Sequence, residues 1–126
     1  MYQSLDMFQT SAAMARHAGA RQAVVASNMA NADTPGYQAR ALPAFHEIYQ
    51  SQQAGMMRAT RQGHLGGGML GAVGRTDAAM AEPAPNGNAV SIELEMVRGV
   101  EAQREHSRAL AIYRHGLEVI RTSIGR

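Results

Sequence analysis

Residues Gly66-Gly67-Gly68-Met69-Leu70-Gly71 spell G-x-G-x-x-G, the pattern that cradles a pyrophosphate in dinucleotide-binding folds. That chemistry needs a strand before the glycines, a helix after them, and an acidic residue about 20 positions on. His64-Leu65 makes no strand, and Ala72–Ala79 is broken by Gly74 and leads into no βαβ unit. In so Gly-rich a stretch the match is what chance supplies. The five histidines, at 17, 46, 64, 106 and 115, include no His-x-x-x-His pair and no compact ligand set. His115 and Glu118 share a helical face, the usual setting of a solvated pair. With no Cys, disulfides, thiolate metal sites and Cys nucleophiles are excluded. A general acid–base pair needs a pocket, and the sequence suggests none. The expectation is therefore no catalytic residue, no metal, no cofactor and no enzyme. Asn28, Asn31 and Asp33 are the remaining polar cluster. Capping and turn formation account for their spacing, with interface contacts as an added role.

Two periodic segments flank that cluster. From Ser4 to Ala32 the chain is rich in Ala, Gln, Met and Arg, good helix formers interrupted only by Gly19. Ser4 is the expected N-cap, with Asp6 in the first turn. Leu5, Phe8, Ala12, Ala15, Gly19, Gln22, Ala26 and Met29 advance by threes and fours, with Met7, Met14, Ala18 and Val25 beside them. Such a narrow stripe of small residues lets another helix approach closely. The helix should end at Asn31-Ala32-Asp33-Thr34-Pro35-Gly36-Tyr37. Thr34 precedes proline and is pushed out of helical space, and Pro35-Gly36 suits the centre of a type II turn.

The second periodic segment runs from Ser91 to Ile124. Ser91 is the expected N-cap, with Glu93 and Glu95 in the first turn and Gly125 as the stop. Leu94, Val97 and either Val100 or Glu101 begin one stripe; Met96, Gln103, His106, Leu110, Tyr113, Leu117, Ile120 and Ile124 form another. Between the segments, Ala44–Tyr49 could be a short helix. From Gly55 to Asn88 periodicity is lost among glycines, with short strands possible at Met56–Ala59 and Met69–Val73. The expected fold is mainly α: two long terminal helices in an antiparallel, coiled-coil-like pair, with a Gly-rich loop or small β insert between them. Residues 1–37 and 88–126 make one discontinuous helical unit, and 38–87 an irregular insert. Gln22, Gln103 and His106 keep the seam from being wholly apolar.

Composition points the same way. Of the 126 residues 45% are hydrophobic, but 23 are Ala and 9 are Met, while Leu, Ile, Val and Phe together number 21. That is little for a self-sufficient core, and a two-helix hairpin alone seldom buries enough to be stable. Contacts in an assembly should complete the packing. Leu5, Phe8, Met14, Val25, Met29, Met96, Val97, Leu110, Tyr113, Leu117, Ile120 and Ile124 are the candidate subunit-packing residues. The basic pI comes from Arg residues dispersed along the chain, without the one-faced clustering nucleic acid demands. No run approaches a membrane span, and no signal peptide is visible in the first 20 residues.

The segment Asn28-Met29-Ala30-Asn31-Ala32-Asp33-Thr34-Pro35-Gly36-Tyr37 resembles the signature of bacterial flagellar axial proteins, the rod, hook and hook-associated subunits. These carry Asn-x-x-Asn-x-x-Thr-x-Gly-Tyr/Phe at the end of an N-terminal helix. Thr60 with His64-Leu65, Asn86-Gly87-Asn88-Ala89-Val90-Ser91-Ile92-Glu93-Leu94-Glu95-Met96, and Ile120-Arg121-Thr122-Ser123-Ile124 are similar to elements of the proximal rod members. Gln38 and Ala41-Leu42-Pro43 depart from the pattern.

The resemblance implies a structural subunit of the proximal rod, assembling through its terminal helices into the torque-transmitting shaft of the basal body. It implies copies of itself, adjacent rod proteins, the rod–ring adaptor and the inner-membrane ring as partners. It also implies passage through the flagellar export apparatus into the periplasmic space without a cleaved signal. A soluble helical adaptor or export chaperone is the alternative that helices alone would allow.

Overall fold

The computed structural model describes residues 2–55, 77–78 and 84–125. Its elements are α1 (Tyr2–Ala30), β1 (Arg40–Ala41), α2 (Phe45–Gly55), β2 (Asp77–Ala78) and α3 (Ile92–Ser123). At 1.5 Å per residue α1 is about 43 Å long and α3 about 48 Å. The two run antiparallel along their length. Near one end Gly116 meets Phe8, and near the other Gly99 meets Val25. In between, the His106 ring lies 3.3 Å from the Ala15 carbonyl, and Gln22 Nε2 donates to Gln103 Oε1 at 2.5 Å. The mainly helical paired fold expected from the sequence is the one observed.

The seam is built mostly from small side chains. On α1 the buried line is Ser11, Ala18 and Val25; on α3 it is Glu95, Ala102, Ala109 and Gly116. Each line recurs every seven residues, the spacing that keeps one face of a helix against its partner. Ala18, Ala102 and Ala109 are completely enclosed. The α3 line lies one position away from the stripe of large residues through Met96, Gln103, Leu110 and Leu117. Closest approach belongs to Ala and Gly, because a larger side chain there would push the backbones apart. Large residues flank the seam instead, as where Phe8 and Tyr113 meet edge to face with centroids 5.1 Å apart.

Helix boundaries follow local chemistry. α3 has Ser91 as N-cap, its Oγ accepting from Leu94 N at 3.4 Å. Gly125, at φ +85°, closes the other end in the left-handed conformation glycine adopts freely. Ser4 is not a cap: α1 begins at Tyr2, because nothing in Tyr2-Gln3 interrupts a helix already favoured downstream. The short helix possible at Ala44–Tyr49 is α2, which extends to Gly55. β1 and β2 pair antiparallel, Arg40 opposite Ala78 and Ala41 opposite Asp77, a small β insert at positions other than the strands expected from the sequence. The Gly66–Gly71 hexad and the two strands expected at Met56–Ala59 and Met69–Val73 lie outside the described residues.

Candidate functional site

The chain leaves α1 through a turn of the expected type. Tyr37 N donates to the Thr34 carbonyl at 3.3 Å, with Pro35 and Gly36 between them and Gly36 at φ +72°. This is a type II turn, whose third position requires the positive φ that Gly supplies. Asn31 stabilises the approach: its Nδ2 donates to the Ser27 carbonyl at 2.8 Å and its Oδ1 accepts from Thr34 Oγ1 at 3.3 Å. Asp33 and Pro35 are exposed.

Asn28 does more than turn the chain. It is completely buried, and it reaches twelve residues ahead to Arg40. Its Nδ2 donates to the Arg40 carbonyl at 2.7 Å and its Oδ1 accepts from Arg40 N at 3.1 Å. The Tyr37 hydroxyl donates to the same Oδ1 at 3.4 Å. A carboxamide presents one donor and one acceptor side by side, so it serves Arg40 as a neighbouring strand would.

A second asparagine closes the site from the far end of the chain. Asn88 Nδ2 points at three carbonyls, those of Asn31, Ala32 and Thr34, at 3.0, 2.6 and 2.9 Å. They follow α1 and have no intrahelical partner. Its Oδ1 accepts from Val90 N at 2.7 Å. Main-chain bonds run alongside, Gly36 N to the Asn86 carbonyl at 3.2 Å and Ala89 N to the Tyr37 carbonyl at 3.0 Å. Gly87, at φ +78°, passes so near that a Cβ there would lie 3.4 Å from Gly36 Cα. Residues 28–37 and 86–90 thus form one clasp joining the end of α1 to the start of α3. Sequence reading did not single out Asn88 as part of the site. Its flanking Asn86-Gly87 is a turn signal that could have marked the segment.

Two further buried polar groups were not foreseen. His17 is buried beside Phe45 of α2, ring centroids 5.7 Å apart. Burial pushes its imidazole below the ordinary range; the Arg21 guanidinium adds to this, while Glu105 and the Pro43 carbonyl pull the other way. Arg21 itself bridges the helices to Glu105 at 2.8 Å and Glu101 at 3.7 Å. Glu95, expected as a first-turn charge, is buried in the seam with Oε1 on Arg98. Glu93 stays exposed at the cap. Its own backbone N–H, and then the Ser91 hydroxyl, hold its carboxyl below the usual range.

The candidate subunit-packing residues fall into three groups. Met29, Met96, Val97, Leu110, Tyr113 and Ile124 are exposed; Phe8, Met14, Leu117 and Ile120 are half-buried; Val25 is in the seam. Leu5 lies in α1, its side chain outside the described set. No cluster of His, Asp or Glu able to hold a metal occurs among the described residues.

Residues 8–38, which end just past the Asn28–Tyr37 turn, match the family described as flagella basal body rod protein. Over 113 residues the chain is 34% identical to the flagellar basal body rod protein FlgB of Agrobacterium fabrum strain C58, covering 82% of this chain and 81% of that protein. The chain belongs to the flagellar basal-body rod protein family. It is a structural subunit of the rod, and its association is with other rod components. Nothing in these likenesses favours the adaptor or chaperone reading. The rod family's matched segment contains both asparagines of the turn, 28 and 31, but not Asn88, which donates to the Asn31 carbonyl from 57 residues along the chain. The relationship to FlgB covers too much of the chain to rest on α1 and the turn alone.

Proposed function

We propose that this rod subunit occupies the proximal rod, in the periplasmic space, and packs there against copies of itself and adjacent rod proteins. At the base its neighbours are the rod–ring adaptor and the inner-membrane ring. It arrives through the flagellar export apparatus without a cleaved signal. Its role is mechanical, passing torque along the shaft, and involves no catalysis and no cofactor. No nucleic acid and no membrane span enter this role.

One observation carries the reading. The hairpin spends its smallest residues on its own seam and turns large apolar residues outward. Met96 is 58% exposed and Ile124 is 74% exposed, with Ile92, Leu94, Val97, Val100, Ile112 and Val119 also open. Fully burying such a side chain is worth roughly 1.5–3 kcal/mol, and covering the roughly half that stays open is worth about half of that each, so lateral neighbours supply what the hairpin lacks. Deleting the gene and imaging basal bodies tests this. Rings without a rod are expected; normal flagella would overturn the reading.

A further inference from the structure

Of the four asparagines in the chain, at 28, 31, 86 and 88, only Asn86 is followed by glycine. An asparagine side chain is long enough for its carboxamide carbon to meet the backbone nitrogen of the next residue and close a five-membered ring. A Cβ on that next residue shields the nitrogen, as at Met29, Ala32 and Ala89, whereas Gly87 leaves it open. In the folded chain both reactants are nevertheless held apart. Gly87 N donates to the Ala84 carbonyl at 2.8 Å across Pro85 and Asn86. Among the described residues no side-chain-bearing residue has positive φ, so this is a type I turn. Its third residue, Asn86, takes ψ of about 0°, which turns the Gly87 nitrogen away from the Asn86 side chain. The carboxamide is engaged as well, its Oδ1 accepting from Asn88 N at 3.0 Å. The Asn86 carbonyl accepts from Gly36 N at 3.2 Å, so the whole turn is tied to the end of α1. Asn86 is exposed, and water already reaches it.

We propose that Asn86-Gly87 is a site of spontaneous deamidation that the closed clasp guards, and that its isoaspartyl product cannot close the clasp again. When the clasp opens, the Gly87 nitrogen gives its proton to water and bonds to Asn86 Cγ. That carbon releases its amide nitrogen, which takes up a proton and leaves as ammonia. Water then opens the succinimide at one carbonyl or the other, giving aspartate or isoaspartate, with nothing oxidised or reduced. Aspartate keeps the main chain as it was. Isoaspartate routes it through Cβ, adding a methylene beside Gly87 and moving the carbonyl that Gly36 N uses. Gly87 passes so close to Gly36 that a Cβ there would lie 3.4 Å from Gly36 Cα, which leaves little room for the longer chain. Asn88, one residue further on, then loses its register with the carbonyls of Asn31, Ala32 and Thr34. This chemistry does not depend on where in the rod the subunit sits.

The test incubates the purified full chain at mildly alkaline pH, in native buffer and unfolded in guanidinium. Peptide mass spectrometry reads the amide-to-acid mass gain at Asn86, and protein isoaspartyl methyltransferase reads the isoaspartyl product. The unfolded chain should convert at least about tenfold faster, since the folded chain reacts only through the fraction whose clasp is open. Asn88→Ala should raise the rate in native buffer severalfold. Gly87→Ala, compared in guanidinium where its folding plays no part, should lose most of the conversion. The isoaspartyl chain, separated from the aspartyl product and returned to native buffer, should exchange the Gly36 and Ala89 amides faster than the unmodified chain. No conversion in guanidinium would remove the site. Equal rates in the folded and unfolded chain, or an unchanged rate in Asn88→Ala, would show that the clasp does not guard it. Unchanged exchange in the isoaspartyl chain would overturn the claim that the product keeps the clasp open.

Discussion

Asn28 pairs with Arg40 as one strand pairs with another, donating to its carbonyl at 2.7 Å and accepting from its N–H at 3.1 Å. Asn28→Ala would leave both main-chain groups beneath α1 without partners. Each unsatisfied group costs about 1–3 kcal/mol, so thermal unfolding followed by circular dichroism should show a loss of at least ~2 kcal/mol. Asn28→Asp should be no milder, because it sets a carboxylate oxygen against the Arg40 carbonyl. Wild-type stability in either variant would mean the pairing is incidental.

Asn88 draws three carbonyls together, and no other side chain of its size offers a two-hydrogen donor beside an acceptor. Asn88→Ala should lower stability by about 2 kcal/mol and speed amide hydrogen exchange at Gly36 and Ala89, whose N–H groups bond across the clasp. Unchanged exchange there would show that main-chain bonds alone hold the two segments.

Gly116 is where the helices crowd at their far end. A Cβ there would come 2.5 Å from Met7 Cε and 3.1 Å from two Phe8 ring carbons. Gly116→Ala gains helix propensity but forces the Met7 and Phe8 side chains to move, for a net loss of about 1–2 kcal/mol. Met7→Ala in the same chain should recover part of it, because the nearest atom is the tip of a flexible side chain. A double-mutant cycle with no coupling would place the strain elsewhere.

His17 makes stability depend on pH. The folded chain favours the neutral ring, chiefly through burial, so the folded-state value lies below the unfolded one of about 6.5. The unfolded chain therefore binds more protons as the pH falls through that range. The stabilisation is complete above about pH 6.5 and is lost as the pH drops toward the folded-state value. Melting temperatures from pH 8 down to pH 5 should fall in the wild type and fall less in His17→Met; parallel curves would exonerate His17.

The outward apolar residues should matter to assembly more than to folding. Met96→Glu and Leu110→Glu should leave the helical spectrum of the chain nearly intact, since exposed substitutions usually stay within about 0.5 kcal/mol. Cells carrying them should build fewer or no rods. Replacing Met7, Met14, Met29 and Met96 by Leu asks whether methionine's adaptability at uneven contacts is needed. Normal rods with the glutamates would place the subunit contacts on other surfaces.

By itself the sequence determined the local events. Pro35-Gly36 dictates a type II turn because only those φ values suit those residues, Ser91 caps α3, and Gly125 ends it. It also determined that two long helices would pair, since their apolar positions step by threes and fours, and the Asn28–Tyr37 motif carried the rod resemblance. Which face of each helix forms the seam was decided by the tertiary structure. Periodicity marks where apolar residues fall, but with Ala so abundant it does not separate the line of closest approach from the line of larger residues one position away. The backbones settle that choice by sterics, taking Ala18, Ala102, Ala109 and Gly116 inside and leaving Met96 and Leu110 out. The reach of Asn28 to Arg40 and of Asn88 to the end of α1 likewise exists only once distant segments meet. A carboxamide has the same two bonding groups wherever it stands, and only the fold decides which carbonyls lie within its range.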